Sequence, residues 1–373
     1  MNLVICGAGV IGAAIAYYLS LRGIGATVVE RCDVACAASG KSGGFLALDW
    51  CDGTPMETLA RKSFSLHAEL AGTLGADYGY RRMQTYQVAA SREGDVTRYR
   101  GMESPRWLDG NCALYSALGS ETSTAQVDPE RFTRALLDAA VANGAKLTGG
   151  EVTGIELGRG GTRVIGVRVG EVVLPADAVV IAMGPWSILA ARWLPLPLVD
   201  GLKSHSILIR AAGRVPAQAL FVEFISDSGE PRSPEIFPRD RGEVYVCGIS
   251  DAQPLPMDPA KVAVGNEACD ELHALSGILS TMLAKGKVVR RQACYRPVCE
   301  DALPIMGKVQ GVTGAYVASG HNCWGMLNAP ASGLAMSELI ADDASRSIDL
   351  SPFDPGRLPV FSPRAAASGA LNS

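Results

Sequence analysis

The N-terminus carries the feature that most limits what this chain can fold into. Residues 2–6 form a short apolar run with the length of a β-strand. Three glycines follow at once, with the spacing Gly7-x-Gly9-x-x-Gly12, and residues 10–21 are apolar enough to form a buried helix. A glycine-rich turn between a strand and a helix is where parallel α/β folds bind nucleotide phosphates.

A second strand and an acidic residue complete the dinucleotide signature. Residues 26–29 form another apolar run, which ends in Glu30. In this context Gly7 allows the tight turn, Gly9 lets backbone N–H groups approach a pyrophosphate, and Gly12 lets the helix pack on the strand. We expect Glu30 to accept a hydrogen bond from a ribose hydroxyl. Because all these parts occur in register, a bound dinucleotide explains the pattern better than an ordinary glycine-rich turn.

The residues after Glu30 favour a flavin dinucleotide over a nicotinamide one. A nicotinamide-binding domain would continue with a crossover helix and a third strand, but residues 37–44 read AASGKSGG. This segment has little helix propensity and many backbone N–H donors, so it predicts a second phosphate-binding loop that leads toward a flavin. A flexible surface loop is the alternative. The residues concerned are Ser39, Lys41, Ser42, Gly43 and Gly44.

Two later apolar segments, residues 176–187 and 314–325, predict further parallel strands of the same sheet. Each strand runs into a glycine at its carboxyl end, where ligands bind in open α/β sheets. A long stretch without any dinucleotide signal separates them. The nucleotide-binding domain is therefore discontinuous in sequence.

The intervening segments predict a second, mainly antiparallel sheet. Residues 128–144 predict a helix with Asp128 as its N-cap, Pro129 at its first position and Gly144 at its end, and residues 147–157 follow as a strand. The segments with alternating strand character are residues 81–91, 205–211, 220–226 and 242–250.

The predicted fold class is α/β, or α+β overall, with a Rossmann-type dinucleotide domain and a sheet-based substrate domain. We assign residues 1–75, 126–200 and 301–350 to the first domain and residues 76–125 and 201–300 to the second. Residues 351–373 are rich in Pro, Ala and Ser and predict a mobile tail.

Composition and charge argue against several partners and compartments. The net charge of −4 speaks against nucleic acid and anionic membranes. The ten cysteines are scattered without a CxxC pair, which indicates a reduced cytoplasmic or organellar interior. Residues 2–21 carry no charge, but their glycines and the missing basic segment argue against a signal peptide or a membrane span.

Several motifs, in this order along the chain, resemble the D-amino-acid-oxidase-like (DAO) superfamily of FAD-dependent oxidoreductases over residues 1–341. The motifs are GAGVIGAAIAYYLS, AASGKSGGFLA, VDPERFTRAL, ADAVVIAMGPWS, YRPVCEDALPIMG and ASGHNCWGMLNAP. Two segments, PEIFPRDRGEVYVCG and GHNCWGMLNAP, are most similar to a little-characterised subset from fungi and plants. The resemblance implies FAD in the nucleotide domain and oxidation of amines or amino acids at the second domain.

The resemblance also extends the set of predicted FAD contacts. Val152 matches the position whose backbone meets adenine, and Ala182, Gly184 and Trp186 match positions that flank the cofactor. Besides the residues already named, the implied contacts are Val10, Ile11, Arg31, Val152, Ala182, Gly184, Trp186 and Gly320.

Flavin-dependent amine oxidation transfers a hydride from the carbon bearing nitrogen to flavin N5, and negative charge then develops at the N1–C2=O edge. A helix N-terminus directed at that edge supplies free N–H donors. Residues 328–342 predict such a helix, with Asn328 as its cap and Pro330 in its first turn. The backbone N–H groups expected to face the flavin belong to Gly325, Met326 and Leu327.

Two charged residues are candidates for substrate binding. Arg296 matches the arginine with which several family members bind a substrate carboxylate through two hydrogen bonds. A structural pairing of Arg296 with Glu300 or Asp301 is the alternative. Where some amino-acid oxidases have a tyrosine, this chain has Glu235, which would attract a cation, so we expect it to pair with a substrate ammonium or with Arg296. A solvated glutamate at a strand end is the alternative.

His321, Cys323 and Trp324 stand together in the motif SGHNCWG. No other histidine or cysteine lies nearby at metal-ligand spacing, so we predict no metal and expect His321 and Trp324 to shape the surroundings of the flavin or the substrate. Relatives that bond their flavin covalently have a cysteine where this chain has Ala293, with Cys294 adjacent. We therefore predict non-covalent FAD.

The acceptor of the electrons stays open between two possibilities. Oxygen is the predicted acceptor, and the alternative is a dehydrogenase that uses a quinone or a carrier. A flavoprotein that has lost turnover and acts as an assembly or binding factor is a further alternative. The predicted partner is a small amine or amino acid.

Overall fold

The computed structural model describes residues 1–225 and 231–362. Within these residues the α-helices are α1 (Val10–Ser20), α2 (Ala38–Lys41), α3 (Glu57–Thr73), α4 (Pro129–Ala142), α5 (Ser187–Ala190), α6 (Asn266–Leu279), α7 (Thr281–Ala284) and α8 (Gly325–Asp342). The strands of the first half are β1 (Leu3–Cys6), β2 (Thr27–Glu30), β3 (Phe45–Ala47), β4 (Arg81–Arg82), β5 (Gln84–Ala90), β6 (Cys112–Gly119), β7 (Thr124–Gln126), β8 (Lys146–Gly149), β9 (Val152–Leu157), β10 (Val164–Val169), β11 (Val172–Pro175) and β12 (Ala178–Ile181). Those of the second half are β13 (Asp200–Arg210), β14 (Gln218–Phe224), β15 (Glu235–Pro238), β16 (Glu243–Asp251), β17 (Lys287–Val298), β18 (Ile305–Lys308) and β19 (Ala315–Ser319).

A six-stranded sheet with the order β18-β19-β12-β1-β2-β8 contains the glycine-rich turn. Its central strands are uniformly apolar, as expected for parallel strands that are buried on both faces. β12 pairs in parallel with β1 and with β19, which confirms that residues 176–187 and 314–325 return to the first sheet. Helices α1, α4 and α8 cover one face, and the small antiparallel sheet β9–β11 covers the other.

A seven-stranded sheet with the order β17-β13-β16-β15-β14-β5-β6 forms the second layer. All its neighbours pair in antiparallel fashion except β5 and β14, so the expectation of a mainly antiparallel sheet is confirmed. Helix α6 and the short α7 pack their apolar residues against it. Ser226, at the end of one predicted strand, lies outside the described residues.

Two predicted strands each divide between two sheets. Residues 81–91 give β4, in a small sheet with β3 and β7, and β5 in the seven-stranded sheet. Residues 147–157 give β8 and β9, because the chain leaves the parallel sheet after Gly149 and β9 pairs with β10 in the three-stranded sheet. Neither division was readable from local apolar alternation.

The helix predicted after Asp128 is confirmed. The Asp128 side chain accepts a hydrogen bond from the N–H of Arg131 at 3.0 Å, and Pro129 occupies the first position. Asn143 follows the last turn, and Gly144 has φ +102°. The chain therefore reverses at Gly144 in a conformation that other residues rarely adopt.

The predicted start of α8 is wrong. The helix begins at Gly325, directly after a 3₁₀ turn at Asn322–Trp324, so Asn328 lies inside the helix and does not cap it. Asn328 is fully buried, with Nδ2 at 3.9 Å from Met56 Sδ. Pro330 consequently lies in the helix interior, beyond the first turn.

The first part of the predicted mobile tail, residues 351–362, has defined contacts with the rest of the chain. Ser351–Phe353 forms a 3₁₀ turn in which Phe353 is buried, and the N–H of Phe361 donates to the carbonyl of Leu196 at 2.8 Å. Residues 363–373 lie outside the described residues. Across the described ranges, none of the helices has both the length and the apolar character needed to cross a membrane.

Candidate functional site

A cavity of about 520 Å³ extends from the carboxyl edge of the parallel sheet to the face of the seven-stranded sheet. Most of the predicted site residues line it. They are Gly7, Gly9, Val10, Ile11, Glu30, Arg31, Ser39, Lys41, Ser42, Gly43, Gly44, Val152, Ala182, Gly184, Trp186, Glu235, Arg296, His321, Trp324, Gly325 and Met326. The predicted residues that do not line it are Gly12, Gly320 and Leu327.

The glycine-rich turn is packed so tightly that side chains do not fit. Gly7 has φ +109°, and a Cβ atom on it would lie 2.5 Å from the carbonyl oxygen of Ala182. A Cβ atom on Gly12 would overlap the carbonyl oxygen of Gly7. Gly12 therefore acts through packing, as its spacing predicts, and does not need to reach the cavity. Leu327 is fully buried and does not line the cavity, and the approach of its N–H to the flavin stays a prediction.

Glu30 is held in place at the end of β2 by two backbone donors. Its Oε2 accepts from the N–H of Ala8 at 2.7 Å, and its Oε1 accepts from the N–H of Cys32 at 2.9 Å. Each carboxylate oxygen can accept more than one hydrogen bond. The fixed carboxylate can thus still receive the hydroxyl groups of a ribose.

The second predicted phosphate loop is an ordered part of the cavity wall. The Ser39 hydroxyl accepts from the N–H of Val10 at 2.9 Å and so ties the loop to the start of α1. The Lys41 carbonyl accepts from the Tyr245 hydroxyl at 3.0 Å and from Gln292 Nε2 at 3.1 Å. These bonds favour an ordered phosphate loop over the flexible-loop alternative. The segment also contains the short helix α2, which its composition did not predict.

Arg31 and Trp186 line the cavity, but their side chains donate hydrogen bonds to the segment between β16 and α6. Arg31 donates to the carbonyl of Met257 at 2.9 Å and pairs with Glu151 at 3.1 Å. Trp186 Nε1 donates to the carbonyl of Pro256 at 2.8 Å. The chain between β16 and α6 is thereby fastened beside the dinucleotide end of the cavity.

Arg296, on β17, stands at the other end of the cavity without a carboxylate partner among the described residues. Its Nε is buried and has no hydrogen-bond partner among residues 1–225 and 231–362. Asp301, one of the alternative partners, instead accepts two hydrogen bonds from Arg357 at 2.7 and 3.0 Å. Besides its interaction with the Cys323 thiol, the guanidinium has room in the cavity for a carboxylate of a ligand.

Glu235, on β15, faces the same end of the cavity. Its Oε2 accepts from the Cys247 thiol at 3.6 Å, and among the described residues it forms no ion pair with Arg296. Burial raises the pKa of Glu235, while the bond from Cys247 and the charge of Arg296 act in the opposite direction. The alternative of a solvated strand-end glutamate does not agree with this environment.

Aromatic rings that sequence reasoning missed form the wall beside Glu235. Phe45 stacks on Phe237 with ring centroids 5.2 Å apart, and Trp50 lies 4.8 Å from Phe221 and 6.4 Å from Trp324. Phe45 follows the paired glycines directly, and Phe237 lies two residues after Glu235 on the same strand face. Those two positions in the sequence could have indicated that Phe45 and Phe237 belong to the site.

His321 is buried in the wall and is neutral. Its Nε2 lies 3.1 Å from the Ser332 hydroxyl, and burial lowers its pKa to about 3. His67, which no motif singled out, is also buried and contacts the carbonyls of Met326 and Leu327. Among the described residues, no cluster of three histidine, cysteine or acidic side chains could hold a metal ion.

These features fit the two ends of FAD. The glycine-rich turn leaves backbone space beside the fixed carboxylate of Glu30, as a dinucleotide requires. The first turn of α8 borders the cavity at Gly325 and Met326, where N–H groups without an acceptor in their own helix and the helix dipole suit the electron-rich edge of a flavin.

Comparisons with known proteins agree with this assignment. The family model of the FAD-dependent oxidoreductases called DAO matches residues 2–339. A Schizosaccharomyces pombe protein described as an oxidoreductase is 29% identical over 95% of this chain and 97% of the relative. Glycine oxidase of Pseudomonas aeruginosa is 26% identical over 96% of this chain and 99% of the relative.

A solved structure shows the same fold. The crystal structure of glycine oxidase from Geobacillus kaustophilus superposes with a TM-score of 0.78 at 26% identity, over 95% of this chain and 98% of that one. The fold, the dinucleotide turn and the match along most of the sequence lead to one conclusion. This chain belongs to the DAO family of FAD-dependent oxidoreductases.

Proposed function

We propose that this chain oxidises the C–N bond of an amino acid or another carboxylated amine. The observation that carries the proposal is the guanidinium of Arg296, which has no carboxylate partner among the described residues and shares one cavity with the dinucleotide turn. Arginine binds carboxylates through two parallel hydrogen bonds. The glycine oxidases among the relatives support an amino-acid substrate by their names. The division into a nucleotide domain and a substrate domain is part of this proposal.

Bound FAD supplies the hydride acceptor, at N5 of its flavin ring. Arg296 holds the substrate carboxylate and thereby orients the carbon that carries nitrogen. The N–H groups of Gly325 and Met326 stabilise the negative charge that develops at the flavin edge. The rings of Trp50 and Trp324 keep water from the reacting carbon.

Glu235 distinguishes this cavity from one that is built for glycine alone. Its carboxylate and the ring of Phe237 form the wall that the amine side of the substrate meets. A positively charged group that entered here would pair with Glu235 and lower its raised pKa. We assign Glu235 the recognition of the substrate ammonium.

Oxygen is the electron acceptor in this proposal, and a quinone or a carrier protein is the alternative. Oxygen consumption with release of peroxide separates the two. An enzyme that is reduced by substrate but reoxidised only by an added quinone would be a dehydrogenase.

Anaerobic bleaching of the bound flavin tests the proposed function. The panel contains N-methyl amino acids, cyclic secondary amino acids, D-amino acids and larger amines, because bleaching reports the reductive half-reaction whatever the acceptor is. We expect at least one carboxylated amine to bleach the flavin. If every compound fails while dithionite still reduces the flavin, the chain is a non-catalytic flavoprotein of the assembly or binding kind.

A further inference from the structure

Pro330 interrupts the hydrogen bonding of α8 just behind the cavity. In an α-helix each N–H bonds to the carbonyl four residues earlier, and proline has no N–H. The carbonyl of Met326 therefore has no helical donor from residue 330. The N–H of Ala331, whose helical acceptor is the carbonyl of Leu327, donates to the Ser63 hydroxyl at 3.1 Å. The first turn of α8 is thus weakly held by its own helix.

His67, one turn after Ser63 on α3, supplies the missing donor. Its Nε2 lies 3.0 Å from the carbonyl oxygen of Met326 and 3.1 Å from that of Leu327. Both partners are acceptors, so Nε2 carries the hydrogen. Burial lowers the pKa of His67 to about 4, which keeps the ring neutral. The ring also packs against Phe132, with centroids 4.8 Å apart.

The bonded carbonyls belong to the turn that borders the cavity. Gly325 and Met326 line it, and Pro330 prevents this turn from being held by α8 alone. We infer that His67 is a positioning residue, which fixes the first turn of α8 so that its N–H groups face the flavin edge. Its contribution acts on the bound flavin whatever the substrate is. It raises the reduction potential of the flavin, because the reduced ring is the form that gains from those donors.

A matched pair of variants separates the hydrogen bond from the packing. Gln and Met have similar length and flexibility, but only Gln carries an N–H donor. We expect His67→Met to shift the equilibrium between oxidised and reduced flavin at least tenfold toward the oxidised form relative to His67→Gln. For a two-electron couple this is about 30 mV, measured on the FAD-loaded protein with reference dyes.

Pro330→Ala provides the rescue. An alanine at residue 330 restores the N–H that bonds to the Met326 carbonyl. The reduction potential of H67M/P330A should therefore return to that of H67Q, with the equilibrium constants for flavin reduction in the two variants within about threefold of each other. Equal potentials for H67M and H67Q would overturn the inference, as would a folded double variant without recovery. If H67M does not fold, a folded double variant with the wild-type potential supports the inference, and a double variant that also fails to fold overturns it.

Discussion

The carbonyl oxygen of Gly7 occupies the space that a Cβ atom on Gly12 would need. Helix α1 therefore lies directly against the end of β1, and its N-terminus opens into the cavity at Gly9 and Val10. The same contact that packs the sheet places the phosphate-binding end of the helix. Stability and cofactor binding are thus coupled at one residue.

Gly12→Ala is expected to lose FAD binding and to lower the free energy of unfolding by about 1–3 kcal/mol or more, because the overlap forces α1 away from β1. Retained flavin and thermal unfolding measure the two effects. Gly72→Ala is the matched control, because a Cβ atom on Gly72 in α3 meets no other atom. That control should keep its flavin and its stability.

Glu235→Gln is expected to lower kcat/KM for a cationic substrate by ~10- to 100-fold, since a hydrogen bond to a charged group contributes about 1.5–3 kcal/mol. The wild-type enzyme should gain activity as pH rises through the raised pKa of Glu235, because the ionised form binds the cation. This limb should be absent from the variant. An unchanged pH profile together with unchanged substrate preference would remove Glu235 from substrate recognition.

Acid should destabilise the protein through its buried histidines. The pKa of His67 falls to about 4 and that of His321 to about 3, so below pH 6.5 the unfolded chain takes up protons that the folded chain does not. The free energy of unfolding should decrease by about 2 kcal/mol per histidine between pH 7 and pH 5. In H67Q the urea midpoint should vary less over this range, and an identical pH dependence would show that His67 titrates normally.

The flavin should be released when the protein is precipitated with acid. Burial raises the pKa of Cys294 to about 11, so the thiolate that could attack a flavin is scarce. The Cys323 thiol, which lines the cavity, also has a pKa raised by burial. Yellow colour that stays in the pellet would contradict this prediction, and its loss in C294S or C323S would identify the attachment site.

The dinucleotide turn was predictable because its signal is local. Gly7, Gly12 and Glu30 lie within one strand-helix-strand unit, and their spacing in it is enough to predict their roles. The contact of Glu235 with Cys247 was not predictable, because it depends on the register between β15 and β16. A short polar pattern does not reveal which strands become neighbours.

The start of α8 shows how tertiary contacts override a local preference. Asn is a good N-cap, but Asn328 is buried against Met56, and the helix extends three residues further toward Gly325. The stabilising partners, Ser63 and His67, come from α3. The sequence of α8 does not reveal these partners, although Pro330 indicates that one carbonyl of the helix lacks its usual donor.

Anaerobic reduction of the flavin by two matched amines tests the proposed function most directly. One is the best carboxylated amine from the panel, and the other is its decarboxylated counterpart. For the wild type we expect kcat/KM of flavin reduction to be about 100-fold higher with the carboxylated compound, because a two-pronged carboxylate pair contributes about 3 kcal/mol. Arg296→Met should lose this preference. The same preference in the wild type and in R296M would contradict the assignment of Arg296 and of the cavity as the site of a carboxylated amine.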